Sequence, residues 1–287
     1  MAEINGDLGD NTLIGTSGDD IIFGDDGNDI IKGAEGNDDL QGGAGDDVIT
    51  GGSGDDIIHG GSGSDTVSFL YTAGPVYVDL ADGVAFGQAG SDSLNSIENI
   101  VGSAYYDDLY GDETANVIYG MGGIDYLFGR LGDDTLFGGD DTDLLVGDLG
   151  NDHLDGGRGG DSIYGGDGVD FLDGGAGGDY LNGGEKADVF VYTETTDSVI
   201  GKMDLIADYK DGKDILDVSL IDANEGLTGN QAFFQVEAFT GVAGQLVLSY
   251  DSGTGRTFAS FDNTGDGVAD MVIAMRGSHL SAAGWIL

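Results

Sequence analysis

A nine-residue period dominates this chain. Starting at Gly6, units such as "GTSGDDIIF", "GDDGNDIIK" and "GGSGDDIIH" follow one another without a gap to Ser68. Seven units make this first run, and ten more run from Gly102 to Val191. Position six is Asp in fifteen of the seventeen units, with Asn11 and Asn116 the exceptions, and position eight is apolar in all seventeen. Nine residues suit neither a long helix nor a plain strand. Each unit reads as a six-residue glycine-rich turn and a three-residue strand with one inward side chain, at position eight. No unit can bury that side chain alone, so only stacking closes a core. Each inward residue then contributes roughly 1.5–3 kcal/mol. Glycines supply positive φ where the chain reverses.

The same stacking creates a problem of charge. The chain carries 54 Asp+Glu against 9 Lys+Arg, a formal net charge of −45. So few cations cannot track a phosphate backbone, which excludes nucleic acid as a partner. Acidic, glycine-rich composition ordinarily points to disorder, but the fixed phase of the apolar residues points to order. Turns stacked about 4.8 Å apart line up the position-six carboxylates. At an effective dielectric near 20, neighbours repel by roughly 3 kcal/mol. The roll therefore calls for a counter-ion. Ca²⁺ suits turns that offer carboxylates and bare carbonyls, whereas Mg²⁺ demands a tighter octahedron and retains its waters. There is no cysteine, so thiolate sites and disulfides are excluded.

These units resemble the RTX (repeats-in-toxin) nonapeptide, G-G-x-G-x-D-x-U-x, over 153 of the 287 residues. The resemblance implies an all-β fold: a right-handed parallel β-roll, or β-solenoid, with two nonapeptides per coil and Ca²⁺ between a turn and the turn two units along. It implies ligation by the carbonyls of positions two and four with Asp six of one unit, facing positions one and three with Asp six of the other. Carried over, Gly43, Gly45 and Asp47 face Gly60, Ser62 and Asp65, and Gly157, Gly159 and Asp161 face Gly174, Ala176 and Asp179. The full carboxylate set is Asp20, Asp29, Asp38, Asp47, Asp56, Asp65, Asp125, Asp134, Asp143, Asp152, Asp161, Asp170, Asp179 and Asp188, with further carbonyls at Gly36, Gly51, Ser53, Gly166, Gly168 and Gly183. Pairing across two units allows about five sites in the first run and eight in the second. Asn11 and Asn116 weaken the start of each run, and Tyr105 and Thr114 replace the position-four glycine, as Asp141 and Lys186 do later.

Residues 1–68 and 102–191 are thus expected as two rolls, with 69–101 as larger, calcium-poor coils between them, or a hinge. From 192 to 287 the composition changes: five of the nine basic residues and the only tryptophan lie here. Short strands are expected at "LIADY", "ILDVS", "AFFQVEAF", "QLVLSY", "TFASF" and "MVIAM", forming a β-rich cap on the solenoid end. "DLIADYKDGKDILDVSLIDAN" and "FDNTGDGVADMVIAMRGSHLSAAGWIL" resemble the serralysin C-terminal region, which implies an uncleaved signal for the type I secretion apparatus. The N-terminus lacks a Sec-type signal, and the resemblance makes the expected location extracellular. "DNTGDGVAD" reads as a polar hairpin turn, because the EF-hand glutamate is missing. His59, His153 and His279 stand apart with no H-E-x-x-H, and no nucleophile–base set is present, so no enzymatic activity is expected. Size and layout suggest a NodO-like secreted RTX protein that meets a host surface, membrane or matrix. Two other readings stay open: the carrier part of an exported peptidase, lipase or mannuronan C5-epimerase, or a polysaccharide-binding module. The initial Met weighs against an upstream catalytic domain.

Overall fold

The computed structural model describes residues 1–224 and 230–287, and all regular structure among them is β. Two compact units are present, Met1–Asp140 and Asp141–Leu287.

In the first unit, successive strands alternate between two parallel sheets, and each strand pairs with the one 18 residues on. Ile22 opposes Leu40, which opposes Ile58, in one sheet. Leu13, Ile31, Ile49 and Val67 follow one another in the other. A coil is therefore two nonapeptides. The position-eight residues Ile22, Ile31, Leu40, Ile49, Ile58 and Val67 are fully buried between the sheets. The strands are longer than the sequence reading of three residues. Ile21–Asp26, Ile30–Glu35 and Asp39–Ala44 each span six, because positions one to three of the next turn continue the ladder. Asp25 pairs with Gly43, and Ala44 with Ser62. Small residues there let the turn backbones approach closely enough to bond.

Between Ser68 and Asn99 the two sheets are built differently. Thr66–Ser68 pairs directly with Asn99–Val101 in one sheet. The other takes three strands over the same interval: Gly90–Asn95, parallel to Ile57–Ser62, then Val84–Gly87 and Val76–Asp79, each antiparallel to its predecessor. Val76–Asp79 then receives Asp108–Tyr110 in parallel.

The second unit repeats the two-sheet pattern, with Leu145, Leu154, Ile163, Leu172, Leu181 and Phe190 fully buried. The last rungs are Leu205–Ile206 and Ile215–Asp217. All six strands expected after residue 192 are present, "AFFQVEAF" only as Phe234–Val236. Gln245–Asp251, Arg256–Asp262 and Met271–Arg276 form an antiparallel meander whose last strand pairs with Leu205–Ile206. "DNTGDGVAD" is the hairpin connection, with Asp262 accepting from the Gly265 and Gly267 amides and Asp270 from Asn263. The tail closes the other sheet: the Ile286 amide donates to Leu216, and Ile286 accepts from Val218. An apolar solenoid end left open would expose its core, and these segments cover it.

The alternation of burial sets a clear contrast. Ile58→Ala, at a fully buried position, should cost about 2–5 kcal/mol in calcium-containing buffer. Ile57→Ala, whose side chain is 47% exposed, should change stability by less than about 0.5 kcal/mol. Denaturant unfolding of the two variants checks the register; equal losses would refute it.

Candidate metal centre

All fourteen aspartates singled out at position six are at most 2% exposed. Stacking brings them into lines. The Asp20 amide donates to Asp38 Oδ1 at 2.8 Å, Asp38 to Asp56 at 2.8 Å, and Asp29 to Asp47 at 2.8 Å. Asp47 donates likewise to Asp65 at 2.9 Å, Asp143 to Asp161 at 2.8 Å, and Asp161 to Asp179 at 2.8 Å. One oxygen of each carboxylate thus reaches back to the preceding coil. The other, Oδ2, is buried without a hydrogen-bond partner in Asp29, Asp38, Asp47, Asp56, Asp65, Asp161, Asp170, Asp179 and Asp188.

A glycine faces each of these oxygens. A Cβ on Gly156, at position one, would lie 2.7 Å from Asp161 Oδ2 and 2.8 Å from the Gly174 carbonyl oxygen. Gly24, Gly33, Gly42 and Gly165 make the same cradle with Asp29, Asp38, Asp47 and Asp170. None of these position-one glycines has a positive φ; the positive values fall at positions two and four, as in Gly43 and Gly45. Glycine therefore has a second use beside the expected positive φ of the turn: at position one it makes room for the carboxylate.

Turn carbonyls also point between coils, those of position one into the same gaps. Gly43 and Gly45 oxygens point toward Gly61 and Gly63 of the next coil, and Gly60 points back toward Gly42. The Ser62 carbonyl accepts from the Gly45 amide at 2.9 Å, and Ala176 from Gly159 at 3.0 Å. Gly157, in turn, accepts from the Ala176 amide at 2.7 Å. Among the described residues no three carboxylate or histidine side chains converge as a ligand cluster, so an ion here would have to draw on backbone oxygens too. Buried orphan carboxylate oxygens, inward carbonyls and an all-oxygen donor set fit a hard divalent cation of flexible geometry.

Four further acidic residues continue the lines and were not singled out from sequence. Asp56 donates to Asp92 at 3.1 Å, Asp65 to Glu98 at 2.8 Å, Asp179 to Asp204 at 2.8 Å, and Asp188 to Asp214 at 3.2 Å. Asp92 belongs to "GQAGSDSLN", Gly87–Asn95, a further nonapeptide in the frame set by Gly6. That unbroken frame was its available signal. Glu98 closes a turn shortened by three residues, its longer side chain reaching where an Asp would sit. Asp204 and Asp214 keep only the Asp-x-apolar core of the motif. Of the histidines, His59 and His153 are exposed, whereas His279 is buried and bonds Asp211 at 3.0 Å.

Residues 97–287 match the family described as the peptidase M10 serralysin C terminal. The chain belongs to that family. Residues 5–40 and 32–67 match the RTX calcium-binding nonapeptide repeat. Metallopeptidase AprA of Pseudomonas marginalis is 40% identical over 88 residues, 31% of this chain and 17% of that protein. Metalloprotease AprA of Pseudomonas entomophila is 41% identical over 89 residues, 31% of this chain and 18% of that one. This serralysin-family chain therefore spans less than a fifth of the length of these curated relatives. Among solved structures, one subunit of the Azotobacter vinelandii mannuronan C5-epimerase is 31% identical, with 52% of this chain and 89% of that one covered and a TM-score of 0.39. Extracellular lipase LipA from Serratia marcescens is 17% identical, with 96% and 40% covered and a TM-score of 0.23.

Burial pushes the carboxyls of Asp29, Asp38, Asp47, Asp56, Asp65, Asp161, Asp170, Asp179 and Asp188 up, opposed by the amide bond each accepts and reinforced by neighbouring aspartates. The Thr16 and Ala2 amides instead hold Asp20 below its ordinary range. Asp56 and Asp65 stand at about 6, Asp170 at about 7 and Asp161 at about 8. Asp92 stands at about 7 for the same reasons. An unfolded chain releases these protons near pH 4, so the fold holds protons that the unfolded chain has lost. That stability is full below about pH 4 and is lost as pH rises through the folded values of about 6 to 8. In EDTA, β-structure by circular dichroism should therefore be greater at pH 5 than at pH 8. The same signal at both values, or the reverse order, would contradict the buried column.

Proposed function

We propose that this chain is a non-catalytic, secreted RTX protein that folds on Ca²⁺ after type I export. The line of buried, unpartnered Oδ2 oxygens carries this reading. In the proposed sites, Gly43, Gly45 and Asp47 hold the ion against Gly60, Ser62 and Asp65, and the other turns act alike through the residues given above. Turn-to-turn hydrogen bonds such as Gly45 to Ser62 are exchanged for coordination when the ion enters. The proposed organisation is 1–68 and 102–191 as calcium rolls, 69–101 as intervening coils, and 192–287 as cap and export region. Binding free energy becomes folding free energy: a charged mobile chain where calcium is scarce, a rigid roll outside. The rigid roll would then engage a host surface, membrane or polysaccharide.

A second reading has its own support. The matched relatives are peptidases of which this region is a small part, so the roll could serve as the carrier of an exported enzyme.

Circular dichroism should show β-structure forming between EDTA and millimolar calcium; no change would end the calcium reading. Asp161→Ala, which removes a buried bridging carboxylate, should flatten the titration, whereas Asp167→Ala, exposed at position three, should leave it unchanged. For export, deleting residues 281–287 should abolish secretion through a type I apparatus; unchanged secretion would refute the signal. The mass of the secreted species separates the readings, since a carrier is released attached to a larger catalytic part.

A further inference from the structure

One joint of the first unit is built without the orphan oxygens. At Asp107, the position-six residue of the unit starting at Gly102, both oxygens are engaged. Oδ1 accepts from the Val76 amide and the Ser103 hydroxyl, each at 2.8 Å, and Oδ2 accepts from the Ser103 amide at 2.6 Å. In the next unit Asn116 holds position six and is 1% exposed. Its Oδ1 accepts from the Asp112 amide at 2.8 Å, as a carboxylate would. Its Nδ2 donates to the Glu98 carbonyl oxygen at 2.8 Å. The oxygen that faces the position-one glycine, Gly111, is thus satisfied by the chain's own amide and carries no charge. An N–H donor stands where other units place the oxygen that accepts from the preceding coil.

A full positive charge stands beside it. Arg130, at position two of its unit, donates to both oxygens of buried Asp79, at 2.9 and 2.7 Å, and to the Gly111 carbonyl at 2.9 Å. Gly111 is a position-one residue, the class whose carbonyl faces the preceding coil. The guanidinium lies 5.2 Å from the Tyr110 ring centre. Tyr110 in turn stacks on Phe128 at 4.9 Å and meets Tyr77 at 5.5 Å. A forked guanidinium holding a carboxylate and a carbonyl supplies the charge and the directed bonds that an ion supplies elsewhere.

We infer that Asp79, Asp107, Asn116 and Arg130 form a calcium-independent clamp, in which Arg130 and Asn116 take the place of the ion and seed the calcium-dependent coils of residues 15–68. This rests on the reading that the position-six lines bind calcium. In a solenoid, each coil gains stability from a formed neighbour, and the first coil bears the closure cost alone. A joint closed by the chain's own donors removes that step.

Hydrogen exchange of the full chain in EDTA and in calcium tests the clamp. In EDTA, the amides of Leu80, Gly111 and Tyr126, which bond Tyr110, Phe128 and Asp107, should exchange at least about tenfold more slowly than those of Asp38, Asp47 and Gly45. Arg130→Gln should abolish that difference, be restored by calcium, and move the calcium midpoint upward. Asn116→Asp should make the same amides calcium-dependent by returning a negative charge to the joint and removing the donor to the Glu98 carbonyl. Uniform exposure in EDTA would overturn the clamp and leave the calcium reading standing. Uniform protection in EDTA would overturn the calcium reading itself. Loss of protection in calcium as well would show that Arg130 is merely structural and would also overturn the clamp.

Discussion

Like-charged carboxylates, buried one coil apart, are the constraint on which this structure depends. Each position-eight side chain contributes roughly 1.5–3 kcal/mol when buried. Each neighbouring pair of ionised carboxylates opposes stacking by roughly 3 kcal/mol. The two are of one size, and they recur once per unit because they share the same period. The apolar column therefore cannot outweigh the acidic one by growing longer. Whatever neutralises the carboxylates decides whether the roll closes, and protons, a divalent cation and a fixed guanidinium are three ways of doing so.

The repeating part of this fold is legible in the sequence because one period governs every contact. Position eight at Ile22 or Leu154 must face inward, and position six at Asp38 or Asp161 must follow the stack; both are buried. Strand length was not legible. It depends on whether the turns of successive coils bond to each other, and Asp25 with Gly43 shows that they do. Local pattern also hides the irregular rungs. Gly87–Asn95 keeps the frame but is separated from the first run by residues 69–86. Asp204 and Asp214 take position-six roles without glycine-rich turns before them. Arg130 and Asp79 are 51 residues apart, and nothing in either neighbourhood announces the pair.

The cations are distributed in keeping with that constraint. Arg130 is one of nine basic residues, and it sits where Asn116 interrupts the acidic line. Asp79 shows the effect: burial alone would raise its carboxyl, yet the Arg130 guanidinium and the Asp82 amide hold it below the usual range. Asp161, more deeply enclosed and without such a partner, rises to about 8. Depth of burial and the charged partner act together to set the two carboxyls apart.

Glycine placement follows from the same close approach of coils. Position one is glycine in all seventeen units, although none of these residues has a positive φ. A side chain there would enter the space of the position-six carboxylate, and the stack has no other place for that group. Position two does have positive φ, yet it holds Asp25, Ala34, Met121 and Arg130. The residues one coil earlier, Asp7, Thr16, Ser103 and Asp112, do not share that conformation. Where the earlier turn does share it, as under Gly43, Gly52 and Gly61, a Cβ would strike that turn's carbonyl, and glycine is used. Sterics between coils therefore favour glycine in addition to the backbone dihedral preference of about 1–2 kcal/mol, although Asp148 keeps a positive φ one coil above Arg130, which shares it. The exceptions at position two are what allow Arg130 to reach across the stack.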